Sequence, residues 1–361
     1  MGINFKRIAV KIGSNVLTKS DGSLDFTQMS ALVDQVAELH RQGVEVILIS
    51  SGAVAAGRSH ALAGKLDAVS ERQLFSAIGQ VKLINRYYML FRDYGITCGQ
   101  VLTTKESLCT RQHYLNQRSC MQVMLAHGVI PIVNENDTIA VTELMFTDND
   151  ELSGLVATMM SAEALFILTN VDGIYNGHPA APNAELIREV RVGERDLSAC
   201  MADAKSSFGR GGMQTKMGIA GKVADEGVEV VIANGRRADI ICELWRSRTA
   251  TPCTRFVPAQ AAASSVKKWL AHSEGFAKGE LHINANARQA LLGEAATSLL
   301  PVGVTAVCGD FEKGDIVKIF DERGTQIAIG KTQYGSDDAR RLVGERGKKP
   351  VVHYDYLCLK I

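Results

Sequence analysis

The sequence predicts an α/β protein: a three-layer αβα sandwich around a mostly parallel central sheet, followed by a small β-rich domain. Strands and helices alternate from residue 7 to about residue 245, and strands such as VEVILIS (44–50) are almost continuously apolar. Both features are typical of a parallel sheet covered on its two faces. After about residue 257 the alternation stops, and 314–332 shows the period-two pattern of a β-hairpin around the turn DERG.

The elements of the sandwich can be read in order along the chain. RIAVKI (7–12) is a short β-rich run, and 27–43 carries apolar residues at helical spacing before a closing glycine. The longest helix is predicted at 70–95, and we expect a break near Gly79. The other predicted strands lie at 96–102, 129–133, 164–169 and 228–234, and the other helices at 113–128, 149–162 and 212–227.

Three segments follow from this pattern. We predict an αβα domain at 1–257, a linker at 258–275 that is rich in small and polar residues, and the β-rich domain at 276–361. In the hairpin of that domain, Val317 and Ile319 alternate in period two before the turn, and Ile327 and Ile329 do so after it.

Composition excludes several classes of protein. The formal net charge is +1, so no global field recruits nucleic acid or an anionic membrane. No apolar run reaches the roughly 18 residues that a membrane span needs, and the N-terminus lacks a secretory signal. The eight cysteines are scattered, and we expect reduced thiols buried in the core. These features predict a cytoplasmic protein.

Ligands of parallel α/β sheets bind beyond the carboxyl ends of the strands, so the strand-end loops are candidate sites. In VKIGSN, Lys11 precedes Gly13 by two residues, and the amides that follow are expected to face an anion. In ISSGAVAAG, Ser51 and Gly52 lie where a strand turns into a helix, which favours anion binding. An exposed lysine and an ordinary serine N-cap are the open alternatives.

The stretch NENDTIAVTELMFTDND (134–150) carries two polar clusters. Asn134 and Asp137 follow an apolar strand, and the run DND at 148–150 immediately precedes a helix. Two such clusters around a short segment suggest a binding wall, although an Asp at the start of a helix also serves as an N-cap.

Two further loops favour phosphate binding. Thr169 and Asn170 end a strand in ILTNVDGIY, where a plain turn is an equal alternative. GRGGMQTK (209–216) joins flexible glycines to a helix whose first turn carries Lys216, which is typical of a clamp that closes over a nucleotide. Together with Lys11, these loops predict phosphoryl transfer, which needs cations and positioning rather than covalent chemistry.

The loops, in this order, resemble the amino-acid kinase superfamily, and most closely its members that phosphorylate glutamate. The C-terminal segment 298–319 resembles a PUA domain. The resemblance covers nearly the whole chain. The motifs that carry it are VKIGSNVLT (10–18), SSGAVAAGR (50–58), QLFSAIGQ (73–80), PIVNENDT (131–138), DNDELSGLVA (148–157), LTNVDGIY (168–175) and GGMQTK (211–216).

The resemblance implies ATP-dependent phosphorylation of the γ-carboxylate of L-glutamate, the first step of proline biosynthesis. It implies catalytic roles for Lys11, Lys216, Asp148 and Asp150. The residues that it implies for substrate binding are Ser51, Gly52, Asn134, Asp137 and Asn149. The residues that it implies for ATP binding are Lys11, Gly13, Thr169, Asn170, Arg210, Gly211, Gly212, Met213, Gln214, Thr215 and Lys216.

Two positions depart from the pattern of the family. Arg210 stands where members often carry a small polar residue, and Asn170 stands where they often carry Asp. We expect Arg210 to point to solvent and Asn170 to alter only a ribose or base contact.

The implied chemistry needs no general base, because a carboxylate with a pKa near ~4.3 is already ionised at neutral pH. Mg²⁺ is expected to accompany ATP with few protein ligands, and no protein metal site is predicted. The resemblance also implies a homo-oligomer (dimer or tetramer), coupling to glutamate-5-semialdehyde dehydrogenase, and proline as a feedback inhibitor. No membrane is expected as a partner.

Two alternatives stay open from the sequence. One is another kinase of the superfamily, acting on N-acetylglutamate or aspartate. The other is an RNA-binding or regulatory protein that works through the PUA-like tail, although a net charge of +1 gives little electrostatic support for RNA binding.

Overall fold

The computed structural model of the protein describes most of the chain and divides it into two compact units, 1–262 and 263–361. The described residues are 5–58, 66–105, 108, 111–140, 149–179, 181, 183–191, 213–247, 249–259, 270, 277–293 and 297–359. Within these ranges no helix combines the length and the apolar character that crossing a membrane requires.

The first unit alternates strands with helices. Its strands are β1 (Arg7–Ile12), β2 (Glu45–Ile49), β3 (Cys98–Thr103), β4 (Ile130–Glu135), β5 (Ala164–Thr169), β6 (Glu189–Val190), β7 (Glu229–Asn234) and β8 (Cys253–Phe256). Its helices are α1 (Ser14–Leu17), α2 (Phe26–Arg41), α3 (Ala53–Arg58), α4 (Ala68–Arg92), α5 (Arg111–Ala126), α6 (Asn149–Met159), α7 (Met213–Asp225) and α8 (Ile240–Arg246). The predicted elements of the sandwich therefore agree with the structure to within three residues at each end.

The strands form one eight-stranded sheet in the order β3-β4-β2-β1-β5-β7-β8-β6. All neighbouring strands are parallel except β7 and β8, which run antiparallel. The predicted mostly parallel α/β sheet is thus confirmed. β1 lies at the centre, with Lys11 paired to Ile49 of β2 on one side and to Ile167 of β5 on the other.

Helices cover the central strands and bury them. Helix α2 packs on β2, α4 and α8, and its core cluster includes Val10, Leu48 and Phe166 of the strands, all fully buried. Helices α6 and α7 pack on each other. Helix α6 also packs on β1, and helix α7 packs on β7. This covering explains why the strands are apolar at nearly every position.

Helix α4 is continuous from Ala68 to Arg92, so the break expected near Gly79 is wrong. Gly79 instead allows α4 to approach α3 closely. A Cβ atom at Gly79 would lie 1.7 Å from the carbonyl oxygen of Ala53, and one at Gly57 would lie 1.9 Å from that of Phe75. The absence of side chains at both positions lets α3 and α4 pack with their backbones in contact.

The second unit is built on a five-stranded sheet in the order β10-β9-β11-β12-β13. The predicted hairpin is confirmed, because β11 and β12 pair antiparallel and Val317, Ile319, Ile327 and Ile329 are all buried. The described elements are β9 (Gly279–Ile283), α9 (Ala285–Leu292), β10 (Val304–Gly309), β11 (Ile316–Phe320), β12 (Gln326–Thr332), α10 (Ser336–Arg341) and β13 (Val352–Leu359).

The cysteines only partly follow the expectation of buried core thiols. The six cysteines of the described ranges are free. Cys242 and Cys253 are buried as expected, whereas Cys120 and Cys308 are exposed, so for these two the expectation is wrong. The domain boundaries predicted at residues 257 and 275 stay a prediction.

Candidate active site

The carboxyl ends of β1, β2, β4 and β5 meet at one edge of the parallel sheet. The polar residues singled out in the sequence follow these strands directly, so the topology gathers loops that are far apart along the chain. Asp148, Arg210, Gly211 and Gly212 lie outside the described residues.

A buried carboxylate joins two lysines at this edge. Asp150 Oδ1 lies 2.6 Å from Lys11 Nζ, and Asp150 Oδ2 lies 2.8 Å from Lys216 Nζ. Lys11 reaches this point from the end of β1, Asp150 from the first turn of α6, and Lys216 from the first turn of α7. An acidic side chain is favoured in the first turn of a helix by the helix dipole.

The three charged side chains of this cluster are largely buried. The side chains of Asp150, Lys11 and Lys216 are 0%, 3% and 12% exposed. Charges removed from water need partners, and the single carboxylate provides one for both lysines. The cluster holds two ammonium groups in place at the strand ends, where their positive charge suits an anionic ligand.

Asn149, the neighbour of Asp150, organises the next part of the site. Its Nδ2 donates to the carbonyl oxygen of Ser50 at 2.9 Å, to Ser51 Oγ at 2.9 Å and to Asn134 Oδ1 at 3.1 Å. The start of α6 is therefore tied to the ends of β2 and β4. Ser51, Asn134 and Asn149, predicted separately from three loops, form one hydrogen-bonded group.

The turn after β2 is shaped by a glycine and supported by a tyrosine. Gly52 has φ +95°, a backbone conformation that side chains rarely tolerate. Behind it, the Tyr87 hydroxyl lies 3.0 Å from Ser50 Oγ. Burial raises the pKa of Tyr87 to about 12, so this hydroxyl keeps its proton at neutral pH.

Asp137 is held by an arginine that the sequence reasoning missed. Arg72 Nε donates to Asp137 Oδ1 at 2.9 Å, and Arg72 Nη2 contacts the same oxygen and lies 3.3 Å from Glu135 Oε2. Ser76 Oγ adds a hydrogen bond to Asp137 Oδ2 at 3.3 Å. The turn after β4 is thereby fastened to α4.

Gln80 completes a polar face on α4, because its Oε1 accepts a hydrogen bond from Asn134 Nδ2 at 2.9 Å. Arg72, Ser76 and Gln80 follow each other at intervals of four residues, which places them on one face of the helix. That spacing is the signal in the sequence that identifies them: three polar residues line up along one face of a helix.

A cleft of about 630 Å³ opens between these elements. Ser51, Gly52, Asn134, Asp137 and Asn149 all line it, together with Arg72 and Glu135. The remaining lining residues are Ser14, Asn15, Thr18, Asp21, Gly22, Ser23, Ala53, Val54, Ala55 and Arg58.

The residues predicted for ATP lie at the ends of β1 and β5 and at the start of α7. The Gly13 amide donates to the carbonyl oxygen of Leu168 at 3.0 Å, so the expectation that this amide faces an anion is wrong. Thr169 is nearly buried, and its Oγ1 lies 3.3 Å from Oδ1 of the exposed Asn170. In the first turn of α7, Gln214 is exposed, whereas Met213 and Thr215 are half-buried.

An arginine closes the turn after β5. Arg237 Nε and Nη2 donate to the two oxygens of Asp172, each at 2.7 Å. These hydrogen bonds lower the pKa of the Asp172 carboxyl below 3.8, although its partial burial opposes the shift. This bidentate ion pair thus joins the turn after β5 to the segment that follows β7.

A parallel αβα sheet with two lysines on one buried carboxylate, beside a polar cleft, defines a protein that binds anionic substrates at its strand ends. The sequence model described as "Amino acid kinase family" matches residues 6–234, and the chain belongs to this family. The predicted membership is confirmed. A model described as "PUA domain" matches residues 279–354.

Curated relatives share nearly the whole length of the chain. A protein named Glutamate 5-kinase from Bacteroides thetaiotaomicron is 63% identical over 357 residues, which cover 99% of this chain and 99% of the relative. Proteins of the same name from Chlorobaculum tepidum and Trichlorobacter lovleyi are 46% and 38% identical, and the matches cover 98% of this chain and 98% and 96% of the relatives.

Proposed function

We propose that this protein transfers the γ-phosphoryl group of ATP to the γ-carboxylate of L-glutamate, with L-glutamyl 5-phosphate and ADP as products. The observation that carries the proposal is the pair of lysines held by Asp150 at 2.6 and 2.8 Å beside the polar cleft. The activity named for the relatives, which match over nearly the whole chain, supports the same substrate.

Lys11 and Lys216 are assigned to the phosphates. Phosphoryl transfer spreads negative charge over the moving group, and fixed cations stabilise that charge most when water is excluded. Asp150 keeps both ammonium groups in place and is assigned the role of orienting them. Asp148 is proposed to assist Asp150. The nucleotide is assigned to Thr169, Asn170, Arg210, Gly211, Gly212, Met213, Gln214 and Thr215. Gly13 is assigned to it only through the close approach that a missing side chain allows, since its amide is already paired with Leu168.

Mg²⁺ is proposed to enter with ATP. Within the described ranges no three acidic, histidine or cysteine side chains come together as a metal site. Mg²⁺ commonly takes most of its ligands from phosphate oxygens and water, and we assign it mainly to the phosphates of ATP. Bound in this way, the ion would neutralise phosphate charge.

The cleft is assigned to glutamate. Asp137 is proposed to receive the ammonium group, and Ser51, Gly52, Asn134 and Asn149 to hold carboxylate oxygens. Amide, hydroxyl and backbone donors suit carboxylates, whereas the carboxylate of Asp137 suits an ammonium group. Because the attacking γ-carboxylate is already ionised at neutral pH, no side chain has to remove a proton from it.

The product is an acyl phosphate, a labile species that favours rapid use by a reductase. We therefore propose coupling to glutamate-5-semialdehyde dehydrogenase. Inhibition by proline and assembly into a homo-oligomer are proposed on the strength of the family resemblance alone.

The function is tested by following ADP release from ATP and Mg²⁺ with a panel of acceptors: L-glutamate, N-acetylglutamate and L-aspartate. We expect turnover that depends on L-glutamate. Turnover with another acceptor and none with L-glutamate would replace the substrate assignment, and the absence of turnover with every acceptor would overturn the kinase.

A further inference from the structure

Arg72 brings a positive charge to the acceptor side of the cleft. Its Nε and Nη2 are fixed by Asp137, at 2.9 Å for Nε, and Nη2 also lies 3.3 Å from Glu135. The side chain is 25% exposed and lines the cleft. Within the described ranges, Nη1 makes no hydrogen bond or ion pair. One edge of the guanidinium is therefore held by the protein, and Nη1 keeps its hydrogen-bonding capacity toward a ligand of the cleft.

The three side chains form a charge pattern of their own. Glu135 and Asp137 are nearly buried carboxylates, and Arg72 is the cation between them and the cleft. A ligand group that carries only a negative charge would meet two carboxylates here. A group that combines an ammonium with a carboxylate matches both signs, because its ammonium pairs with a carboxylate and its carboxylate with the guanidinium.

We propose that Arg72 determines specificity for the acceptor by binding the α-carboxylate of the amino acid through Nη1, while Asp137 receives the ammonium. This assignment rests on the proposed function and names the residue that recognises the α-carboxylate of the acceptor, the group that 4-aminobutyrate lacks. The guanidinium is planar and already oriented by Asp137, so a carboxylate that binds its remaining edge loses little further freedom in the protein.

Arg58 provides a matched comparison, because it also lines the cleft. Its side chain is 64% exposed, and its Nε lies 3.9 Å from Glu71 Oε1. An exposed and weakly held arginine contributes little to a fixed contact. Arg58→Met is therefore expected to keep the KM for glutamate within threefold of the wild type.

The test uses the full-length chain and two competitive inhibitors, each lacking one charged group of glutamate. 4-Aminobutyrate has no α-carboxylate, and glutarate has no ammonium. In Arg72→Met we expect the KM for L-glutamate to rise about 10- to 100-fold, the range for loss of one hydrogen bond to a charged group, with kcat within threefold. The inhibition constant of glutarate rises by a similar factor, and that of 4-aminobutyrate stays within threefold.

The reverse pattern overturns the proposal. If Arg72 acts only by orienting Asp137, the variant loses affinity for 4-aminobutyrate and keeps its affinity for glutarate, and Arg72 is then a positioning residue. An unchanged KM for L-glutamate overturns the proposal outright. Arg72→Lys retains the positive charge and is expected to recover most of the affinity for glutamate, and a failure to recover any of it counts against a direct contact.

Two results distinguish a failure of this proposal from a failure of the function on which it rests. A wild-type chain without glutamate-dependent ADP release overturns the function. An active wild type together with an Arg72→Met variant of normal KM overturns the specificity assignment alone. Melting temperatures of Arg72→Met and Arg58→Met identify a variant that has simply lost its fold, and Arg72→Lys then serves as the test.

Discussion

At the scale of single residues, Asp150 is the side chain on which the position of two lysines depends. Asp150→Asn keeps the shape but removes the negative charge, so both Lys11 and Lys216 lose their anionic partner. One lysine then faces a neutral oxygen, and the other faces the NH₂ donor. We expect kcat to fall about 100-fold, the cost of misplacing groups that act on the transferring charge. The KM for glutamate should change less than threefold in steady-state assays.

Glu151 is the control for Asp150, because it lies one position further along α6 and pairs with Lys105 at 3.0 Å instead of with the lysines of the site. Glu151→Gln is expected to keep kcat within threefold of the wild type. An Asp150→Asn variant with normal kcat and a raised KM for glutamate would place Asp150 on the acceptor side and contradict the assignment.

Asp172 carries a prediction about pH. Its folded pKa is lowered, first by hydrogen bonds from Arg237, so the stabilisation is present above the unfolded pKa near 3.8 and is lost as the pH falls through the folded value. At pH 7 we expect Asp172→Asn to melt about 1–2 °C below the wild type, since a partly exposed pair contributes at most about 1 kcal/mol. The deficit should shrink as the pH falls below about 4, and thermal scans at pH 7 and pH 3 measure it. An equal deficit at both values would contradict the ion pair.

At the scale of elements, α4 is the helix that supports the acceptor side. Gly79→Ala would place a Cβ atom 1.7 Å from the carbonyl oxygen of Ala53, so α3 and α4 must separate. We expect a loss of stability of several kcal/mol, because backbone atoms cannot yield as the end of a side chain can. Since α3 carries the turn that contains Ser51 and Gly52, the KM for glutamate should rise as well. Thermal unfolding and steady-state kinetics measure the two effects.

Gly218 of α7 is the matched control, because a Cβ atom there meets no atom of the described residues within 4 Å. Gly218→Ala is expected to leave the melting temperature unchanged or to raise it slightly, as alanine is the better helix former. If both substitutions changed the melting temperature equally, the close approach of α3 and α4 would not be the reason for a glycine at position 79.

The same helix marks the limit of what the sequence predicts. Periodicity and apolar runs located six strands and five helices of the sandwich, because these patterns reflect which faces are buried. They did not identify β6, β8 or α8. The expectation that a glycine breaks the helix was wrong at Gly79, because a glycine that breaks a helix and one that permits close packing look alike in a sequence. The ion pair of Arg72 with Asp137 joins residues 65 positions apart, and no local pattern specifies which partner a charged side chain meets.

For the site, polar residues at strand ends were predictable because a parallel sheet collects those ends at one edge. The contact of Asp150 with the lysines was implied by the family resemblance, whereas the residues alone left it open, because Asp150 could equally have capped α6. The Gly13 amide was predicted to face an anion, but it donates to the Leu168 carbonyl oxygen. A backbone group that is already paired within the protein is not available to a ligand.

At the scale of the whole molecule, each unit has a core of its own. The described site residues, including Lys11, Asp150, Lys216 and Arg72, belong to 1–262, and the cluster around Leu281, Val317 and Ile319 belongs to 263–361. A chain of residues 1–262 is therefore expected to fold and to retain glutamate-dependent ADP release, with kcat and the KM for glutamate within about threefold of the full chain. Circular dichroism and a cooperative melt establish folding, and the same kinetic assay measures activity. A truncated chain that folds and binds ATP but fails to turn over glutamate would mean that the second unit supplies something the site requires, and the assignment of the whole site to 1–262 would then be wrong.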